Sequence, residues 1–384
     1  MKQFLDFRNQ PFASLSQPVW RGSTVVFDSF GDFVKRKSRQ PDGYSYGLTG
    51  TPTARELEHE VAELEHGKHC VVFPSGQSAL MSTVMAFVRG GDHILVSDSC
   101  YGALKTFSSK WLAKMGVEVE FFPPAAGGEL EERFRANTRM ICMESPGTVT
   151  MEMQDVDAIC SAARRHGIRT MIDNTWASPL FFRPLEHGVD FAIESGTKML
   201  GGHSDLLLGA VTTNSDPDYA ALRETQSILG AQACPDDCFL VLRGMQTLEV
   251  RMERQSESTN RIAHWVAEQP EVKLVLCPAL ETDPGYGRWK KNYTGCGPLF
   301  SFVFRDPDEK ALGAFFDSLR CFKIGASWGG THSLVGYYPA SQQQARNFTP
   351  TRDPIVRVAI GIQKADVLID DLARAFRAWK EALG

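Results

Sequence analysis

Four short segments carry residue types whose spacing could do chemistry. In AIESGTKMLGGHSD (192–205), Lys198 follows a strand-like run, is flanked by Ser195 and Thr197, and precedes Gly201 and Gly202. An ordinary loop lysine needs none of these neighbours. An amine in a confined site can be held partly deprotonated, as an imine-forming nucleophile requires. In MIDNTWASP (171–179), Asp173 ends an apolar run. A carboxylate there is costly to bury unless paired, so it is either a turn or cap aspartate or the partner of a buried cation such as a protonated ring nitrogen. HCVVFPSGQSALMS (69–82) passes from a strand-like run through Pro-Ser-Gly into a helical pattern. The free amides of Gly76, Gln77 and Ser78 would suit a phosphate, although many such turns use Ser-Gly for the turn alone. In SDSCYGALKTF (97–107), Tyr101 is either a core aromatic or a plate for a flat ring.

The elements that must position these residues follow from periodicity. Apolar runs recur at 69–73, 92–97, 117–122, 139–144, 168–173, 189–194 and 206–213, with helical patterns between most of them, as at 53–66, 77–88 and 155–167. Strands alternating with helices predict a mainly parallel seven-stranded sheet covered on both faces. Ligands gather beyond the carboxyl ends of such strands, and all four segments lie at strand ends. A lysine, an acid, a phosphate cup and a ring stack are together what pyridoxal 5′-phosphate requires. No GxGxxG or GxxxxGK[ST] occurs, which argues against dinucleotides and nucleoside triphosphates. Residues 238–269 form one long helical pattern without proline, and beyond it VKLVLC, LFSFVF and IVRVAI mix with helices at 308–319 and 366–382. The expected organisation is an arm at 1–50 with no clear element over its first 45 residues, a large α/β domain at 51–240 and a smaller α+β domain at 241–384.

Composition narrows the classes. The chain has 384 residues, 43% hydrophobic and 23% charged, with a net charge of −5. That is enough for a substantial core, and no basic run is dense enough for a nucleic-acid footprint. No window has the length of apolar residues that a membrane span needs, and MKQFLDFRNQ lacks a signal-like apolar stretch, so a soluble cytoplasmic protein is expected. Only Cys234 and Cys238 among the nine cysteines lie close together. With no second pair or histidine cluster at ligand spacing, no metal is expected and most cysteines read as small buried hydrophobes.

The sequence resembles the Cys/Met-metabolism (trans-sulfuration) family of pyridoxal-phosphate enzymes over nearly its whole length. The resemblance is carried by YGLTGTPTARELE (46–58), FPSGQSAL (73–80), ESPGTVTMEMQDV (144–156), IDNTWASP (172–179), SGTKMLGGHSD (195–205), PDDCFLVLRGMQTLEVR (235–251) and ASWGGTHSL (326–334). It implies the aspartate-aminotransferase fold (fold type I), assembled as a dimer of dimers with active sites shared across the dimer. It implies that Lys198 carries the cofactor, that Asp173 binds its ring nitrogen and Tyr101 stacks on the ring, and that Gly76, Gln77, Ser195 and Thr197 hold the phosphate. Arg357 would grip the α-carboxylate of an amino-acid substrate beside Ser327 and Trp328, and Tyr46 would reach into the neighbouring site. Lys198, Tyr46 and Tyr101 form the implied catalytic set.

Trp328 favours the β-lyase branch, hence β-elimination from L-cystathionine or a related S-substituted amino acid. The alternative is γ-elimination or γ-replacement, or elimination on an unusual β- or γ-substituted amino acid. Several positions depart from the family pattern. Leu48 stands where family members commonly carry a phosphate-binding arginine, with Thr49 and Thr51 as substitute donors. Met199 and Phe239 replace tyrosines, Ala326 replaces a bulkier residue, and His332 replaces glutamate. Most of these changes are expected to touch the pocket.

Overall fold

The computed structural model describes residues 15–384, so the first part of the expected arm, residues 1–14, lies outside the described residues. Seven strands build the large sheet: β1 (His69–Phe73), β2 (His93–Ser97), β3 (Glu118–Phe122), β4 (Thr138–Glu144), β5 (Arg169–Asp173), β6 (Phe191–Glu194) and β7 (Gly209–Thr213). Their order is β1-β7-β6-β5-β4-β2-β3. Every pair is parallel except the two that β7 makes, with β1 and β6. β1, β2, β4, β6 and β7 are buried nearly throughout, which is why they read as continuous apolar runs rather than alternating ones.

The second sheet holds β8 (Val272–Leu276), β9 (Leu299–Phe304), β10 (Lys323–Ile324), β11 (Leu334–Tyr338) and β12 (Ile355–Ala359), in the order β10-β11-β12-β9-β8. Its helices Glu309–Ser318 and Ala365–Leu383 pack Phe315, Phe376 and Trp379 onto the sheet, with Trp379 stacked on Phe304 at 3.8 Å. One apolar core joins the two sheets, running from Ile172 and Trp176 to Phe300 and Val356.

Three differences from the sequence reading have physical causes. The pattern at 238–269 is two helices, Pro235–Met245 and Leu248–Ala267. The break comes where Gly244 passes the Lys198 loop so closely that a β-carbon would lie 2.3 Å from the Gly201 carbonyl. Arg251 then takes the Gly244 carbonyl at 2.8 Å. The expected domain boundary at 240/241 falls inside the first of these helices. Strand β7 begins at Gly209, not Leu206, because Leu208 bonds to Thr197 instead of the ladder. Finally, the arm is not featureless, since it contains the helical turns Phe30–Val34, Lys35–Arg39 and Gly47–Thr49.

All nine cysteines are free thiols and seven are buried. No helix among the described residues is long and apolar enough to cross a membrane.

Candidate active site

The carboxyl ends of β4, β5 and β6 lie side by side, with Glu144 paired to Asp173 and Asp173 to Ile193. Together with the start of the helix Gly76–Phe87 and loops of the second sheet, they enclose a cavity of about 810 Å³. Gly76, Gln77, Tyr101, Asp173, Ser195, Thr197, Lys198, Trp328 and Arg357 all line it. The cavity thus joins strand-end residues of the large sheet to Trp328 and Arg357 of the second domain.

Lys198 lies half-buried, its Nζ donating to Ser327 Oγ at 2.8 Å and standing 5.8 Å from the centre of the Trp328 ring. Burial lowers its pKa below that of an ordinary lysine, and the Arg357 guanidinium lowers it further, while Asp173 pulls the other way. Gly329 allows the approach of the Ser-Trp-Gly-Gly turn. Its φ is +86°, and a β-carbon there would sit 2.8 Å from Lys198 Cβ. Arg357 is buried, donates from Nη2 to the Ala326 carbonyl (3.0 Å) and the Ser327 carbonyl (3.3 Å), and has no acidic partner among the described residues. A guanidinium held only by carbonyls keeps donors for an incoming carboxylate.

Asp173 accepts from the Thr175 amide at 3.1 Å and from the Thr175 hydroxyl. That hydroxyl also accepts from the Ser195 amide at 2.9 Å, so one threonine ties the acid to the turn that carries Lys198. Desolvation raises the Asp173 carboxyl above the usual aspartate range, and the Thr175 bonds and Lys198 offset this only in part. No cation forms an ion pair with it among the described residues. Beside it Glu144 is pushed well above the carboxylate range, by burial first and by Asp173 second. Its oxygens accept from the Tyr101 amide and the Thr148 hydroxyl.

The outlying expectations fare unevenly. Tyr46 is 51% exposed and does not line this chain's cavity. Thr197 donates its hydroxyl to the Leu208 carbonyl at 3.1 Å, so the expected phosphate bond competes with one already made. The substitutes for the missing arginine at Leu48 are also engaged, Thr49 donating to the Tyr46 carbonyl at 2.7 Å and Thr51 capping the helix Pro52–Leu64. Of the four altered pocket positions only Ala326 lines the cavity. Met199 is buried in the core, and His332 is exposed against Thr331.

Sequence reasoning missed Glu144, Thr148, Thr175, Tyr338 and Arg346. Glu144 ends an apolar strand just as Asp173 does, and the same rule could have found it. Tyr338 and Arg346 carry no local signal.

The cavity fits pyridoxal 5′-phosphate on three counts. Asp173 is a deep carboxylate without a cation, suited to a protonated ring nitrogen. The first amides of the twelve-residue helix Gly76–Phe87 have no intrahelical acceptor, and Ser75 caps only that of Ser78. A β-carbon on Gly76 would fall 2.8 Å from Ser195 Oγ, so backbone amides and a hydroxyl with no protein partner among the described residues converge where a phosphate would sit.

Comparison with known proteins agrees. Residues 5–377 match the family described as Cys/Met metabolism PLP-dependent enzyme. The cystathionine beta-lyase of Salmonella typhimurium is 38% identical over 373 residues, covering 94% of this chain and 93% of that protein. Cystathionine beta-lyase MetC of Escherichia coli is 35% identical over 94% of this chain and 93% of its own length. Among solved structures, metB from Corynebacterium glutamicum superposes with a TM-score of 0.87 at 30% identity, covering 95% of this chain and 93% of that one. This chain belongs to the Cys/Met-metabolism family of PLP-dependent enzymes, and its cofactor is pyridoxal 5′-phosphate.

Proposed function

We propose that this protein is a carbon–sulfur lyase that performs β-elimination on L-cystathionine or a related S-substituted amino acid, giving a thiol and aminoacrylate, which water hydrolyses to pyruvate and ammonia. The observation that carries this reading is one juxtaposition: an amine of lowered pKa, Lys198 Nζ, beside the unpaired Arg357 fork and the Trp328 ring. The cofactor, when bound at Lys198 and Asp173, supplies the electron sink for the bonding pair left at the substrate Cα. Asp173 would keep the ring nitrogen protonated, Gly76, Gln77 and Ser195 would hold the phosphate, with Thr197 free to join only on releasing Leu208, and Tyr101 would cover the ring.

Arg357 takes the α-carboxylate in a two-pronged grip and thereby fixes which Cα bond faces Lys198. The Lys198 amine then accepts the Cα proton, and Ser327 Oγ, its 2.8 Å partner, holds it in line. Lys198, or Tyr46 of the partner subunit, returns a proton to the departing sulfur. The arm through residue 50 completes the neighbouring site in a dimer that pairs into a tetramer, and the enzyme works in the cytoplasm. A second reading, γ-elimination or γ-replacement, is favoured by Ala326, whose small side chain leaves room on the cavity wall.

The deciding experiment is a product assay with L-cystathionine beside O-acetyl- and O-succinyl-L-homoserine. Pyruvate from cystathionine supports the proposal, whereas 2-oxobutyrate gives the site to the second reading. Lys198→Ala is expected to abolish the visible absorbance of the bound cofactor and to cut turnover by at least about 100-fold. A variant retaining both would remove Lys198 from the mechanism.

A further inference from the structure

Besides Lys198, three cations line the cavity: Lys105, Arg346 and Arg357. Lys105 is neutralised by Asp98. Arg357 serves the α-carboxylate in the reading above. That leaves Arg346, a half-buried arginine just past the helix Ala340–Gln344, with no acidic partner among the described residues. Its Nη1 donates to Thr150 Oγ1 at 2.6 Å and its Nη2 to the Thr148 carbonyl at 3.2 Å. A guanidinium carries five N–H donors, and the others here have no acceptor among the described residues. Glu144 and Glu152 are both near enough to feel this charge, but neither forms an ion pair with it, and the Glu144 oxygens are taken by the Tyr101 amide and the Thr148 hydroxyl.

The segment holding Arg346 is itself anchored. The Phe348 amide donates to Asp98 at 2.8 Å, and Arg352 donates to the carbonyls of Gln343, Gln344 and Arg346. A charged fork steadied by neutral groups and opening onto a ligand cavity is an anion receptor.

We propose that Arg346 binds a second carboxylate at the far end of the substrate's sulfur-borne chain, so that the site favours dicarboxylic thioether amino acids over those with a neutral S-substituent. The inference rests on the sulfur-lyase reading and adds the residue that reads the leaving half of the substrate. The two arginines then take the two ends of one ligand, and the bond to be broken lies between them.

The test uses cofactor-loaded enzyme and two readouts. In the first, kcat/KM is measured for L-cystathionine and for S-methyl-L-cysteine, which lacks the distal carboxylate. Arg346→Gln is expected to lower the ratio of the two by about ten- to a hundred-fold, with Arg346→Lys intermediate. In the second, calorimetry compares octanedioate, an unreactive dicarboxylate of matching chain length, with octanoate. Wild type should prefer octanedioate, and Arg346→Gln should lose that preference.

An arginine that merely ties its segment to the Thr148–Thr150 loop would change both substrates alike. An unchanged ratio with an unchanged ligand preference would therefore overturn the proposal. Should Arg346→Gln fail to fold, Thr150→Val frees the fork on one side and should shrink the ratio several-fold. Failure of wild type to turn over either compound would sink the lyase reaction, and the octanedioate comparison would still decide the role of Arg346.

Discussion

At the scale of single residues, the site works by setting charges against one another. Two causes lower the Lys198 amine below an ordinary lysine: burial, then the Arg357 guanidinium. In the proposed mechanism Arg357 therefore has two jobs, gripping a carboxylate and lowering the pKa of the amine. Replacing it with methionine removes a cause of the lowering while leaving an apolar stem of similar length. In cofactor-free Arg357→Met protein, acylation of Lys198 followed against pH by mass spectrometry should shift to higher pH than in wild type. In the loaded enzyme KM should rise by about ten- to a hundred-fold, because a charge-assisted contact is lost. A labelling profile that stays put would show that burial alone sets the amine. Asp173 was legible in sequence because an acid closing an apolar strand is an anomaly there. Thr175, which holds it, was not, because a hydroxyl two residues on is ordinary turn chemistry.

At the scale of elements, the strand-end rule located Lys198, Asp173 and Gly76 because each lies within a few residues of the end of a buried strand of the large sheet. What it could not locate comes from tertiary contacts. Nothing between Met245 and Leu248 breaks a helix by propensity; the break follows from Gly244 packing on Gly201. Tyr338 reaches the cavity from β11 and Arg346 from the segment just past the helix Ala340–Gln344, neither with a signal of its own. One further contact was hidden for the same reason. Glu65, just after the helix Pro52–Leu64, and Glu194, at the end of β6, are both fully enclosed. Both Glu65 oxygens and one of Glu194 have no hydrogen-bond partner among the described residues. Burial pushes the Glu65 carboxyl up to about 8, with Arg183 opposing, and holds Glu194 well above its usual range, with Glu65 and Asp173 adding to it. A carboxyl whose pKa is higher folded than unfolded costs nothing below the unfolded value. Its penalty grows as pH rises from the unfolded value towards the folded one and levels off above it. Glu65→Gln removes that titration, so the variant should gain thermal stability over wild type on going from pH 5 to pH 8.5, by at least about 2 °C in Tm. A gap that is flat across this window would mean that burial does not raise the Glu65 carboxyl above its unfolded value.

At the scale of the whole molecule, the two-sheet architecture was legible because the strands of both sheets are strongly apolar, whereas the reach of the arm into a neighbouring site came only from the resemblance. The described arm shows why. Val26, Phe30, Phe33, Val34 and Leu48 stand exposed, and Tyr46 beside them is outside the chain's own cavity. Large apolar side chains left uncovered in one segment mark an interaction surface, and local periodicity cannot reveal a surface that becomes buried only against a second copy. If the arm completes the neighbouring site, one subunit supplies Lys198 and the other supplies Tyr46. Tyr46→Ala and Lys198→Ala proteins would each be strongly impaired alone. A hybrid dimer of the two, however, holds one site with both defects and one with neither. Unfolding and refolding an equal mixture should therefore recover about a quarter of wild-type activity, the random-assortment share of intact sites in a two-fold dimer. Recovery must fall when either partner is in excess. If the mixture stays as inactive as its components while chromatography shows hybrids, Tyr46 acts within its own subunit or not at all, and the arm serves assembly alone.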